Sequence, residues 1–152
     1  MPYVAGSILL IVLDQLIKYF TVKNILPFGE VPFIKGVVSF TFIKNTGAAW
    51  GMFAGARWFF AAITVAVLFF LSFYIVKKKI KSPLFNTSMM LIFAGAIGNF
   101  IDRLFKGGAV VDMIELKFIK FPVFNFADCC IVIGAVLLCV YILFSTSDTN
   151  GE

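Results

Sequence analysis

The sequence predicts an α-helical integral membrane protein: four transmembrane helices with a small extracytoplasmic sheet or platform. Three observations carry that class. The chain has 152 residues, 61% hydrophobic and 14% charged, against about 45–50% apolar and about 25% charged in soluble domains. Its mean hydropathy is +1.02. Four stretches supply the roughly 20 mostly apolar residues that a spanning helix needs, and helices let each span satisfy its own backbone hydrogen bonds in lipid. This length holds one domain, residues 1–152, with little left over for a soluble one.

The first span covers about 3–22. It is apolar from Val4 onward and has no Lys or Arg before Lys18. A secretory signal peptide normally opens with basic residues, so this stretch reads as a retained span. The segment 23–56 follows, in which Gly36–Ile43 is rich in β-branched and aromatic residues and partly alternating, the pattern of a strand. Asn45-Thr46-Gly47 after it is turn chemistry. The second span is 57–76. Lys77, Lys78, Lys79 and Lys81 then crowd the short loop 77–83, which places that loop in the cytoplasm. An even number of spans puts both termini there too. The third span is 84–105. In the second outer segment, 106–126, Ala109–Val111 and Leu116–Phe121 read as short strands or interfacial pieces, broken at Pro122. The fourth span is 127–145. Lysines also occur in the outer segments, but spread out and mixed with acids.

Composition narrows the chemistry. The net charge of +5 comes with no basic-aromatic interleaving, so no nucleic-acid partner is expected. The clustered lysines suit anionic lipid instead. No histidine is present, which removes His-based triads and most zinc sites; no metal or cofactor is expected. Cys129, Cys130 and Cys139 lie in one apolar run. They read as small apolar fillers rather than a disulfide framework.

What remains is a set of polar residues that converge. Asp102 lies 18 residues beyond Leu84, roughly 27 Å across at the helical rise. It shares a face with Asn99 and Arg103, at spacings i, i+3 and i+4. Asn125 and Asp128 open the return span at the same edge, Asp112 lies in the connection between, and Asn45 belongs to the first outer segment. In the first span, Asp14 and Lys18 are i and i+4 on one face. Each has an ordinary reading alone: a local ion pair, an exposed loop acid, a helix-start acid favoured by the dipole. Such readings must all hold at once to explain the convergence, and charge beside a membrane span is costly and usually functional. Paired carboxylates without His, Cys or metal can activate water. Two close Asp groups share a proton; the ionised one takes a proton from water while the other polarises a carbonyl. That is amide hydrolysis by an aspartic route. The rival class is a small ion-coupled transporter, although transporters favour midplane sites between repeated, broken helices and no repeat is visible. A purely structural membrane protein would not need these acids.

At these residues the chain resembles the lipoprotein signal peptidases (signal peptidase II) of bacteria. The resemblance runs almost end to end and rests on five motifs: Asp14-Gln15-Leu16-Ile17-Lys18, Lys44-Asn45-Thr46-Gly47-Ala48-Ala49-Trp50-Gly51, Gly98-Asn99-Phe100-Ile101-Asp102-Arg103, Val110-Val111-Asp112 and Phe124-Asn125-Phe126-Ala127-Asp128. Met113 and Phe126 are mild departures. The resemblance implies four transmembrane helices with a small extracytoplasmic β-cradle, and removal of the signal peptide from a prolipoprotein, just before a diacylglyceryl-modified cysteine. It implies Asp112 and Asp128 as the catalytic pair. Asp102 competes for the first place, but the family's first acid follows a Val-Val pair, so Asp102 becomes a supporting acid. Asn45, Gly47, Asn99, Arg103 and Asn125 are then expected to contact substrate or position the dyad, with Asp14 and Lys18 supporting from the first span. The implied partners are diacylglyceryl-modified prolipoproteins and membrane lipids. The implied location is the bacterial cytoplasmic membrane, multi-pass, with a monomeric enzyme whose site lies near the outer face.

Overall fold

Four helices in chain order, α1 (Pro2–Asn24), α2 (Arg57–Lys78), α3 (Pro83–Phe105) and α4 (Phe126–Ser145), are each long and apolar enough to cross a membrane. Each begins within a residue of the start that hydropathy predicts. The structure, a computed structural model, describes residues 2–48, 50, 52–78 and 80–145. Ala49 and Gly51 of the second motif, Lys79 of the lysine cluster and the terminal positions 1 and 146–152 lie outside the described residues.

α3 is the central helix. It packs most extensively on α4, then on α1, and less on α2. Its start is set by Ser82, whose Oγ accepts the Phe85 N–H at 3.4 Å, with Pro83 in the first turn where its missing N–H costs nothing. Small residues let α3 and α4 approach closely: a Cβ on Gly134 would lie 2.8 Å from the Ser88 carbonyl oxygen. The buried positions of α1 are Asp14, Lys18 and Thr21, while Leu9, Val12 and Leu16 are exposed. Among its described residues α2 buries only Ala61. On α1 the buried positions are therefore polar while its large apolar side chains face outward, the arrangement suited to lipid as the solvent.

A three-stranded antiparallel sheet of order β1-β2-β3 sits at one end of the bundle: β1 (Glu30–Ile34), β2 (Val38–Asn45) and β3 (Val110–Leu116). Here the structure departs from expectation. The Gly36–Ile43 strand is shifted to Val38–Asn45, so Asn45 ends the strand, paired with Val110, and the bend predicted at Asn45-Thr46-Gly47 starts from its side chain. The two pieces Ala109–Val111 and Leu116–Phe121 are replaced by one strand centred between them, and Lys117–Lys120 forms a turn. Pairing with β2 decides this, because the register Val38↔Leu116 to Asn45↔Val110 fixes β3's length. β1 was not foreseen; Pro32 argues against a strand, but β1 is an edge strand, where a missing N–H is tolerated. Across the sheet, Lys117 Nζ bridges Glu30 Oε1 at 2.9 Å and Glu115 Oε2 at 3.0 Å, and its hydrogen bond holds the Glu30 carboxyl below the usual range.

Candidate active site

Two glycines begin the site. Gly107 and Gly108, at φ 73° and 88°, turn the chain sharply after α3. β3 thereby returns beside the helix it has just left, and the Val111 N–H donates to Asp102 Oδ2 at 3.2 Å. This sets the backbone next to Asp112. Asn45 faces Val110 across the sheet, so it lies on the face that Asp112 also occupies, two residues on. Asn45 Nδ2 donates to Asp112 Oδ2 at 2.9 Å. Asn45 Oδ1 accepts the Gly47 N–H at 2.9 Å, which shapes the turn and orients the amide.

The start of α4 delivers the second acid. Asn125 Oδ1 accepts the Asp128 N–H at 3.0 Å, and Asp128 Oδ2 accepts the Asn125 N–H at 3.1 Å. This reciprocal pair is a capping box with Asn at the cap and Asp three residues on. It holds the Asp128 side chain against the helix start. Asn125 Nδ2 meanwhile donates to Asp112 Oδ1 at 2.6 Å and to Asn99 Oδ1 at 3.1 Å. Asn99 Nδ2 donates to Asp128 Oδ1 at 2.7 Å. Every oxygen of Asp112 and Asp128 thus meets an N–H donor, and Asn125 touches both acids.

Both carboxylates line one cavity of about 480 Å³. Asn45, Gly47, Asn99, Arg103 and Asn125 line it too, with Phe121–Phe124 and the α4 residues Cys129, Val132 and Ile133 as its apolar walls. Arg103 stacks over the Phe60 ring at 5.0 Å and donates to the Gly47 carbonyl at 3.5 Å. Asp112 is almost fully buried. Burial pushes its carboxyl up to about 6, against the opposing pull of the Asn45 and Asn125 amides and with help from the Asp128 charge.

Asp14, Lys18 and Asp102 form a second layer beneath the cavity and do not line it. Lys18 Nζ reaches Asp14 Oδ2 at 2.9 Å, Asp102 Oδ2 at 3.0 Å and Asn99 Oδ1 at 2.9 Å. Asp14 Oδ1 accepts the Ala127 N–H at 3.1 Å, tying α1 to the start of α4. Two members of this layer are absent from the candidates read off the sequence. Gln15 Nε2 lies within hydrogen-bond reach of Asp14 Oδ2, the Gly98 carbonyl and Asp102 Oδ1, at 3.1, 3.2 and 3.1 Å. Lys106 Nζ pairs with Asp102 Oδ1 at 2.8 Å. For Gln15 the signal was its place inside the first motif; for Lys106, the i+4 spacing from Asp102. The arrangement can hold two carboxylates and a polar reactant in a mostly apolar pocket, with fixed amide donors on both acids.

The family model described as "Signal peptidase (SPase) II" matches residues 7–144 of the chain. A lipoprotein signal peptidase of Lactobacillus johnsonii is 42% identical over 142 residues, covering 93% of this chain and 92% of that one. One from Enterococcus faecalis is 43% identical over 142 residues, covering 93% and 87%. Two solved bacterial membrane enzymes share the fold. The first has a TM-score of 0.89 at 32% identity, over 99% of this chain and 93% of its own. The second has 0.83 at 33% identity, over 93% and 92%.

Proposed function

The chain belongs to the signal peptidase II family, and from that premise we propose that it is an aspartic endopeptidase whose catalytic pair is Asp112 and Asp128. It is a multi-pass bacterial membrane protease that removes signal peptides from prolipoproteins. Cleavage falls just before the diacylglyceryl-modified cysteine. The chain works as one peptidase domain and as a monomer, with both termini in the cytoplasm and the sheet end outside.

The observation that carries the aspartic reading is the shared cavity, in which Asn125 bonds Asp112 and also caps Asp128. Asp112, with its carboxyl near 6, keeps the proton of the pair. Asp128 serves as the ionised partner, with the Asn99 amide and the Asn125 N–H donating to its two oxygens. A water between them loses a proton to Asp128 as its oxygen bonds to the scissile carbonyl carbon, while Asp112 protonates the carbonyl oxygen. The resulting gem-diol collapses: the C–N bond breaks, the leaving nitrogen takes the proton held by Asp128, and Asp112 regains its own from a diol hydroxyl. The pair ends as it began. Asn45 and Arg103 line the approach, Asn45 holding Asp112 with its amide and Arg103 offering donors to the peptide backbone. The mouth wall of Val132 and Ile133, more than half exposed on α4, keeps a diacylglyceryl group in contact with lipid while the peptide bond reaches the acids.

The test is cleavage of a diacylated prolipoprotein by purified enzyme, beside an unlipidated control. Asp112→Asn and Asp128→Asn should each lose turnover by about 10³-fold or more while still inserting and binding substrate. Normal cleavage by either variant removes the assignment. A chelator should leave the rate unchanged; activity lost on chelation would sink the aspartic route.

A further inference from the structure

We propose that Lys18 is a positioning residue for the peptidase reaction: its ammonium sets which way round the Asn99 amide sits and so turns that amide's NH2 onto Asp128. The inference rests on the dyad reading above and names a role for a buried cation that never reaches the cavity.

Lys18 has no exposed surface. An ammonium has three N–H donors and no acceptor, and all three are placed: on Asp14 Oδ2, Asp102 Oδ2 and Asn99 Oδ1, at 2.9, 3.0 and 2.9 Å. A group facing Lys18 must therefore be an acceptor. Asn99 meets this with its oxygen, which also accepts from Asn125 Nδ2. The opposite end of a planar amide is its NH2, and this lies 2.7 Å from Asp128 Oδ1. Reversing Asn99 would set its NH2 against an ammonium with no exposed surface and its oxygen against the carboxylate, two repulsions in place of two hydrogen bonds. The sense of one bond on Asp128 is thus decided one residue deeper, on α1.

The consequence is chemical. A donor on Oδ1 favours the ionised carboxylate, the form that takes the proton from water, whereas an amide oxygen there would favour the protonated acid. The charged and titratable groups facing Asp128 are Lys18 of α1, Arg103 of α3, Asp112 of β3 and Cys129 beside it on α4. Lys18 acts on Asp128 both through Asn99 and as a charge. Lys106 is a useful comparison, because it also pairs with Asp102 but bonds neither Asn99 nor Asp128 and is 38% exposed.

The experiment compares pH profiles of kcat/KM on a diacylated prolipoprotein. Lys18→Met alone leaves Asp14 buried without a counter-charge, so the informative variant is Asp14→Asn with Lys18→Met, which removes one charge of each sign and leaves Asp102 its Lys106 partner. The acid limb of its profile should move to higher pH by about one unit. In Lys106→Gln the limb should stay where it is in the wild type. A double variant that folds, judged by its thermal midpoint, and turns over with an unmoved acid limb overturns the proposal. So does one that does not fold, since Lys18 would then be a helix-joining residue first. A limb displaced equally in Lys106→Gln overturns it as well, because any nearby cation would then suffice. Failure of the dyad reading is separate and shows as turnover retained by Asp128→Asn.

Discussion

Asp102 and Asp112 are both buried acids near the same helix end, but their surroundings assign them different work. Asp102 is enclosed by Lys18, Lys106, Gln15 and the Val111 N–H. Asp112 has only neutral amide donors and faces the cavity. That difference has a pH signature. The Asp112 carboxyl sits at about 6 rather than its ordinary 3.8, so the fold prefers it protonated. The sign follows: its contribution is fully present below about 3.8 and is lost as pH rises through about 6. Ionisation costs the fold roughly 3 kcal/mol by pH 8, and about half of that is already incurred at pH 5. Asp112→Asn should therefore gain on the wild type by about 1 kcal/mol between pH 5 and pH 8, read as the change in their difference in thermal or denaturant stability. A difference independent of pH would show that Asp112 is not held neutral. The first limb of the site's activity belongs to the same scale: kcat/KM should decline as Asp112 loses its proton above about pH 6.

At the scale of elements, the turn after α3 and the start of α4 do most of the positioning. The capping box makes helix formation and acid placement one event, because the same Asn125–Asp128 pair that satisfies the helix start also fixes a carboxylate. Asn125→Ser separates the two. Serine still caps, so α4 should keep its stability to within about 1 kcal/mol, but the amide on Asp112 is gone and turnover should fall by about 10²-fold. Equal losses of stability and rate would mean that the amide has no role beyond the cap. Gly98 is the corresponding point on α3. A Cβ there would meet Asp14 Oδ2 at 2.6 Å and Ala127 Cβ at 3.3 Å. Gly98→Val should lift Asp14 from the Ala127 N–H and lower the thermal midpoint by several degrees. A midpoint unchanged by that substitution would show that α1 and α4 have room to spare.

Across the whole molecule, among the described residues, Asp14, Lys18, Asn99, Asp102 and Asn125 are buried beside apolar Phe85 and Met113, while large apolar side chains such as Phe69, Phe70 and Val132 lie outside. Lipid is the solvent in which that arrangement is stable. The proposed orientation is a property of this scale. In a background without Cys129, Cys130 and Cys139, a cysteine at Lys81 should react with a membrane-impermeant maleimide only from the cytoplasmic side, and one at Lys120 only from the opposite side. The reverse pattern would overturn the orientation.

Some of this is legible in one dimension because the membrane imposes simple rules. Span number follows from the length and apolarity that lipid demands, and the acids stand out because charge is scarce in such a chain. Motif order marks Asp112, Asp128, Asn45, Asn99 and Asn125. Other parts have no local signal. Gln15 matters through α1 packing on α3, 87 positions away at Asp102. β1 is hidden by Pro32 and exists because β2 offers it an edge. The extent of β3 is set by β2's register, not by its own propensity. Composition and spacing by themselves determined that this is a four-span membrane protein with its acids toward one end, because depth in a bilayer is counted along the chain. Only the tertiary structure decided which acids share a cavity, which sit beneath it on lysine, and which way each amide faces, because hydrogen-bond direction is settled by partners brought together from different helices.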